Sequence, residues 1–92
     1  MAVVKISWSP EAVRDVESVL DYLSRNSPVF AKTVAAKLCS TVRSLAAFPN
    51  IGKMIPGIGD SAVREIVVYS YRLVYRVEKY QIMVVALLHG QR

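Results

Sequence analysis

The apolar residues of this chain change period along its length, and each period predicts a different element. Val3, Val4, Ile6 and Trp8 sit close together with Lys5 and Ser7 between them, which predicts a first strand over 2–8. The spacing then lengthens. Val13, Val16, Leu20 and Leu23 recur every three or four residues with Ala12 and Val19 alongside, while Arg14, Asp15, Glu17, Ser18 and Asp21 fill the rest of the turn. That is one buried stripe on an amphipathic helix. Ser9-Pro10-Glu11 supplies its start: a hydroxyl for the orphan amides, a proline suited to the first helical position, and a carboxylate at the positive end of the dipole.

Ser27-Pro28 repeats the start signal after Arg25-Asn26, so a tight connection leads to a second helix and an αα-hairpin. Its stripe is Ala31, Val34, Ala35, Leu38, Val42 and Leu45. Pro49 disfavours helical geometry at Phe48 and ends the element there. From Pro49 to Asp60 the prolines, glycines and Asn50 predict a loop of about a dozen residues, a length often tied to function.

The period then shortens to two. Three strands are predicted over 62–69, 71–78 and 80–88, and the short links between them imply antiparallel hairpins. In the middle one Tyr71, Leu73, Tyr75 and Val77 alternate with Arg72, Val74, Arg76 and Glu78, so one face packs on the helices and the other carries arginines. The order β-α-α-β-β-β describes one α+β domain over 1–92, a helical hairpin packed against an antiparallel sheet. Trp8 reads as a core anchor, and Cys39, inside the second helical run, as core.

Composition adds direction. A chain that is 53% hydrophobic with mean hydropathy +0.33 is not a disordered one. Its net charge of +5 and pI near 9.7 favour an acidic partner, either nucleic acid or protein. No carboxylate occurs between Asp21 and Asp60, whereas Arg25, Lys32, Lys37, Arg43 and Lys53 do, which predicts a one-signed field there. One cysteine permits no intrachain disulfide. The longest strictly apolar run, Ile82 to Leu88, is too short to span a bilayer, so no membrane association and a cytoplasmic location are expected. One cysteine and one histidine give no zinc constellation; there is no phosphate-binding Gly-Lys-Ser/Thr loop and no dinucleotide fingerprint, so no metal and no cofactor are expected. No nucleophile elbow surrounds any serine.

What remains is an ordered set: Trp8-Ser-Pro-Glu-Ala, Phe48-Pro-Asn-Ile-Gly52, Arg64-Glu65, Tyr71-Arg72-Leu-Val-Tyr75 and His89-Gly90-Gln-Arg92. Across nearly the whole chain this set resembles the RelE/ParE superfamily of bacterial type II toxin-antitoxin systems. The resemblance implies a fold like that derived above and a cognate antitoxin whose C-terminal segment wraps the toxin, giving a hetero-oligomer. It also implies one of two activities. RelE-like members cleave mRNA in the ribosomal A site with basic residues and a C-terminal tyrosine; ParE-like members lack that set and poison DNA gyrase. By resemblance Arg72 and Arg92 fall at RelE catalytic arginines, and Arg64 lies near the position of a RelE lysine. His89, the single side chain here that titrates near neutrality, completes the candidate catalytic set as an acid or base.

The chain departs from the ribonuclease pattern. RNA cleavage through the 2′-hydroxyl needs a base, an acid for the leaving oxygen and cations for the phosphorane, and arginine, which stays protonated, serves only the last. No second basic residue stands in Glu65-Ile-Val-Val-Tyr69, and no tyrosine follows Arg92. The expectation is therefore a ParE-like toxin that inhibits growth by binding gyrase, with a ribosome-dependent endoribonuclease acting on mRNA as the alternative. Ion pairs from Arg72 and Arg76 to Glu65 and Glu78 are the purely structural use of the same residues.

Overall fold

A computed structural model describes residues 4–90. Strand β1 (Lys5–Trp8) leads into helices α1 (Pro10–Asn26) and α2 (Pro28–Ala47). Strands β2 (Lys53–Met54), β3 (Val63–Val68), β4 (Tyr71–Val77) and β5 (Gln81–His89) follow. Among the described residues the strands form one sheet in the order β1-β5-β4-β3-β2. The predicted hairpins β3-β4 and β4-β5 are antiparallel, as their short links require. β1 instead runs parallel to β5, with Lys5 opposite Gln81 and Trp8 opposite Val84, so the sheet is mixed. A pairing between strands at opposite ends of the sequence has no local signal. The beginning of the predicted first strand lies outside the described residues.

Ser9 starts α1 as its sequence suggests: Oγ accepts from Ala12 N at 3.0 Å and donates to Val85 O at 2.9 Å. At α2 the serine signal is only half used, because Pro28 takes the first turn while Ser27 makes no side-chain cap. The α2 stripe is buried at Ala31, Val34, Leu38, Val42 and Leu45, and Thr41 joins it. On α1 the core face is Ala12, Val16, Val19, Leu20 and Leu23, with Val13 turned outward, a rotation of about 100° from Ala12. Cys39 is exposed, not core, for the same reason: it stands one residue past buried Leu38. Trp8, 37% exposed, closes the end of edge strand β1 rather than anchoring the core.

The loop after α2 contains β2, two residues that extend the sheet beside β3. Gly52 permits that approach. A methyl group on it would stand 2.6 Å from Tyr75 Oη and 2.7 Å from the Glu65 carbonyl, so the loop can lie on β3 only with no side chain there.

β4 keeps the predicted alternation, with Tyr71, Leu73 and Tyr75 beneath the helices. β5 does not. Val74 faces Ala86 and Tyr75 faces Val84, leaving Val85 as the extra residue of a bulge. The bulge reverses the parity of the strand: Ile82 and Val84 face the helices before it, Leu87 and His89 after it. Helix α1 answers the backbone groups freed there, for Ser9 Oγ donates to Val85 O and Asp15 Oδ2 accepts from Leu87 N at 3.0 Å. Among the described residues no helix is long and apolar enough to cross a membrane.

Candidate functional site

The groove with the strongest chemistry lies where β4 begins and β5 ends. It encloses about 660 Å³ and is lined by Lys53, Glu65, Val67, the Tyr69-Ser70 turn, Tyr71, Arg72, His89 and Gly90. Cross-strand register builds it. Arg72 opposes Val67 on one side and Leu88 on the other, and Glu65 opposes Val74 two residues along, so Arg72 and Glu65 are diagonal neighbours on the face away from the helices. Their ion pair is 3.2 Å from Nη1 to Oε1, with Arg72's side chain 18% exposed and Glu65's 1%. Arg72 Nε also donates to Gly90 O at 3.3 Å. A buried carboxylate is tolerated because a guanidinium lies against it, and the guanidinium is oriented in return.

The bulge in β5 places His89 opposite Tyr71, where the two rings stack at 4.9 Å between centroids and 32° between planes. His89 therefore borders the groove from the rim, stacked on Tyr71, while Arg72 approaches from the neighbouring face of the sheet. Tyr69 flanks them in the left-handed conformation (φ 56°), with its ring edge-on to Phe30 at 5.4 Å.

Arg64 is elsewhere. It pairs in register with Tyr75, and its Nη1 donates to Gly52 O at 2.8 Å and to Asn50 O at 3.5 Å. Tyr75, fully buried, accepts from Gly52 N at 2.9 Å and donates to Pro49 O at 2.8 Å. Burial pushes the Tyr75 hydroxyl above its ordinary pKa of 10.0, opposed by the Gly52 hydrogen bond and the Arg64 charge. Together these two side chains pin the loop to the sheet. Arg76, which the alternation placed outward, pairs with Asp60 at 3.0 Å and not with Glu78, whose Oε1 accepts from Gln81 Nε2. Asp60 is held below the usual carboxylate range, first by the hydrogen bond from Ala62 N and then, against some burial, by Arg76.

Of the four candidate catalytic residues, the structure thus brings Arg72 and His89 to one groove and sets Arg64 apart; Arg92 lies outside the described residues. The reading from sequence did not find Lys53 and Tyr69 as groove residues. Lys53 arrives through β2, which has no sequence period of its own, and Tyr69 through a turn that its sequence, Tyr69-Ser70, does not advertise. The expected one-signed field needs one amendment: Arg25 meets Asp21 at 3.1 Å, so the unopposed cations begin at Lys32.

The mixed sheet carrying a helical hairpin is a fold that known proteins share. Residues 6–92 match the family described as ParE toxin of type II toxin-antitoxin system, parDE. The chain belongs to this family of the RelE/ParE superfamily. Toxin RelE2 of Caulobacter vibrioides is 28% identical over 89 residues, spanning 96% of this chain and 97% of that one. In fold the chain is similar to the chromosomal ParDE toxin-antitoxin system from P. aeruginosa, with a TM-score of 0.78, 17% identity and coverage of 97% of this chain and 98% of that one. It is also similar to the YoeB dimer from Staphylococcus aureus, with a TM-score of 0.68, 21% identity and coverage of 98% and 100%. By its family the chain is a toxin of a type II toxin-antitoxin system.

Proposed function

We propose that this toxin arrests growth by binding an essential protein, DNA gyrase, and that a cognate antitoxin neutralises it. The observation that carries the reading is the state of the groove's cation. Arg72 is engaged by buried Glu65 and by Gly90 O, so a scissile phosphate entering the groove would meet a carboxylate beneath its main cation. Arg64 is engaged by loop carbonyls and adds no charge there. His89 is the single imidazole among the described residues, and one such group supplies an acid or a base but not both in the same step. Contact with a protein surface needs neither.

Purified toxin is expected to inhibit gyrase supercoiling in proportion to its concentration, with relief by the antitoxin. Full supercoiling at saturating toxin would sink the gyrase assignment. The alternative, a ribosome-dependent endoribonuclease, draws support from one feature, that His89, Arg72 and Lys53 border the same groove. It requires A-site cuts on translated mRNA that disappear in His89→Gln.

The antitoxin reading rests on charge. Helix α2 carries Lys32, Lys37 and Arg43 with no carboxylate, a surface suited to an acidic, amphipathic segment. The solved relatives include a ParDE system and a YoeB-YefM complex, which agree with a toxin that assembles with a second protein.

A further inference from the structure

The two residues of the β3-β4 turn are Tyr69 and Ser70, between the paired Val68 and Tyr71. Two-residue hairpin turns take Gly, Asn or Asp where φ is positive, because a branched or bulky side chain there crowds the backbone. Here the position holds a tyrosine at φ 56°, the sole non-glycine residue with positive φ among those described. Its ring is not hidden by the arrangement, since Tyr69 is 50% exposed. A strained turn that displays an aromatic ring is an observation in search of a use.

The surroundings indicate the use. Phe30, at the start of α2, supports Tyr69 edge-on. On the far side of the stacked Tyr71 and His89, Tyr22 from α1 is 60% exposed and borders a depression of about 360 Å³ with Ser18 and Val19. Three outward rings thus surround one end of the sheet, drawn from α1, α2 and the β3-β4 turn. Clustered aromatics that lose little side-chain entropy on contact are the usual anchors of protein interfaces.

The charges beside them are of both signs. Lys53 and Arg72 stand on the groove side, while Glu17 and Asp21 border the α1 side next to Ser18, with Arg14 beside them and Arg25 paired to Asp21 at 3.1 Å. A polyanion is served by one sign and repelled by the other, whereas a folded protein surface matches both. Carboxylate-free α2 is the better seat for an acidic antitoxin tail. We propose that Tyr69, with Phe30 and Tyr22, forms the surface by which this toxin grips its protein target, an apolar side chain of the target entering between the rings. This deepens the binding reading given above and rests on it.

Tyr69→Asn separates contact from architecture, because asparagine relieves the left-handed strain while removing the ring. The expected result is a melting temperature equal to or above that of the wild type, antitoxin affinity within about twofold, and target affinity and growth arrest reduced at least about tenfold. Tyr22→Ser, at an exposed position, should weaken arrest in the same direction, and Tyr80→Ser, 79% exposed on the opposite hairpin, should not. A lowered melting temperature for Tyr69→Asn with full per-molecule activity would make the ring structural and overturn the proposal. So would loss of antitoxin binding with target binding retained. Supercoiling assays on wild type and Tyr69→Asn keep the two readings apart. If both inhibit gyrase equally, the surface is wrong and the gyrase reading stands; if wild type leaves gyrase untouched while Tyr69→Asn alone loses arrest, the surface stands for another protein target.

Discussion

The two ends of this sheet orient their side chains in opposite senses. At the loop end Arg64 and Tyr75 turn polar tips inward, onto Gly52 O, Asn50 O, Gly52 N and Pro49 O, and fasten residues 49–52 against β3. At the groove end Tyr69 and Tyr22 expose their rings on either side of the Tyr71-His89 pair, with Phe30 edge-on to Tyr69. Arginine and tyrosine occur at both ends, so residue type does not distinguish holding from contacting; the partner within reach does. Arg64 spends Nη1 on two loop carbonyls and so holds the fold, whereas Arg72, paired with Glu65 and Gly90 O, still borders the open groove.

The comparison is broken most forcefully at Arg72, which belongs to both classes. Arg72→Ala leaves Glu65 buried without its guanidinium and should lower stability by about 3 kcal/mol, read from denaturant midpoints. Loss of arrest in that variant alone is therefore not evidence of catalysis. Adding Glu65→Gln should recover a large part of the stability, and arrest measured in the double variant reports on the contact itself. No recovery would mean that the pair contributes little to the fold.

Gly52→Ala tests the loop end next. The added methyl group meets Tyr75 Oη and the Glu65 carbonyl at under 3 Å, and overpacking against backbone should cost about 2–3 kcal/mol. Target affinity per folded molecule should be unchanged. A loss of affinity without a loss of stability would move the contact surface to this end.

A smaller effect is expected at Tyr75. Tyr75→Phe removes a donor from Pro49 O and an acceptor from Gly52 N, a loss of about 1–2 kcal/mol. It also changes the alkaline limb of stability. Because the folded-state pKa lies above 10.0, the Tyr75 contribution is fully present below pH 10 and is lost as pH rises through the folded value. The phenylalanine variant should show a shallower decline above pH 10, and an unchanged limb would place the alkaline transition on other groups.

Much of the frame was legible in local chemistry. Ser9-Pro10 starts α1, Phe48-Pro49 ends α2, and the alternation from Tyr71 to Val77 sets which face of β4 meets the helices. Local patterns stop where the structure depends on distant partners. The parallel pairing of β1 with β5, the attachment of β2 and the bulge at Val85 are all settled by residues far away in sequence, and the bulge in turn puts His89 beside Tyr71. Of the ion pairs weighed for the arginines, Arg72 with Glu65 is present, while Arg76 chose Asp60 from the loop. Exposure of Cys39 and Trp8 was misread because one residue of helical rotation, or one place at a sheet edge, separates core from surface.

The proposed action of this toxin is by contact and not by proton transfer. The most direct test is growth arrest by His89→Gln, which removes the imidazole of the groove while keeping a side chain of similar size. Arrest within a few-fold of wild type, at equal expression and antitoxin affinity, is the predicted result. A loss of about 100-fold or more, the scale of general acid-base catalysis, in a folded variant that still binds antitoxin, would contradict it.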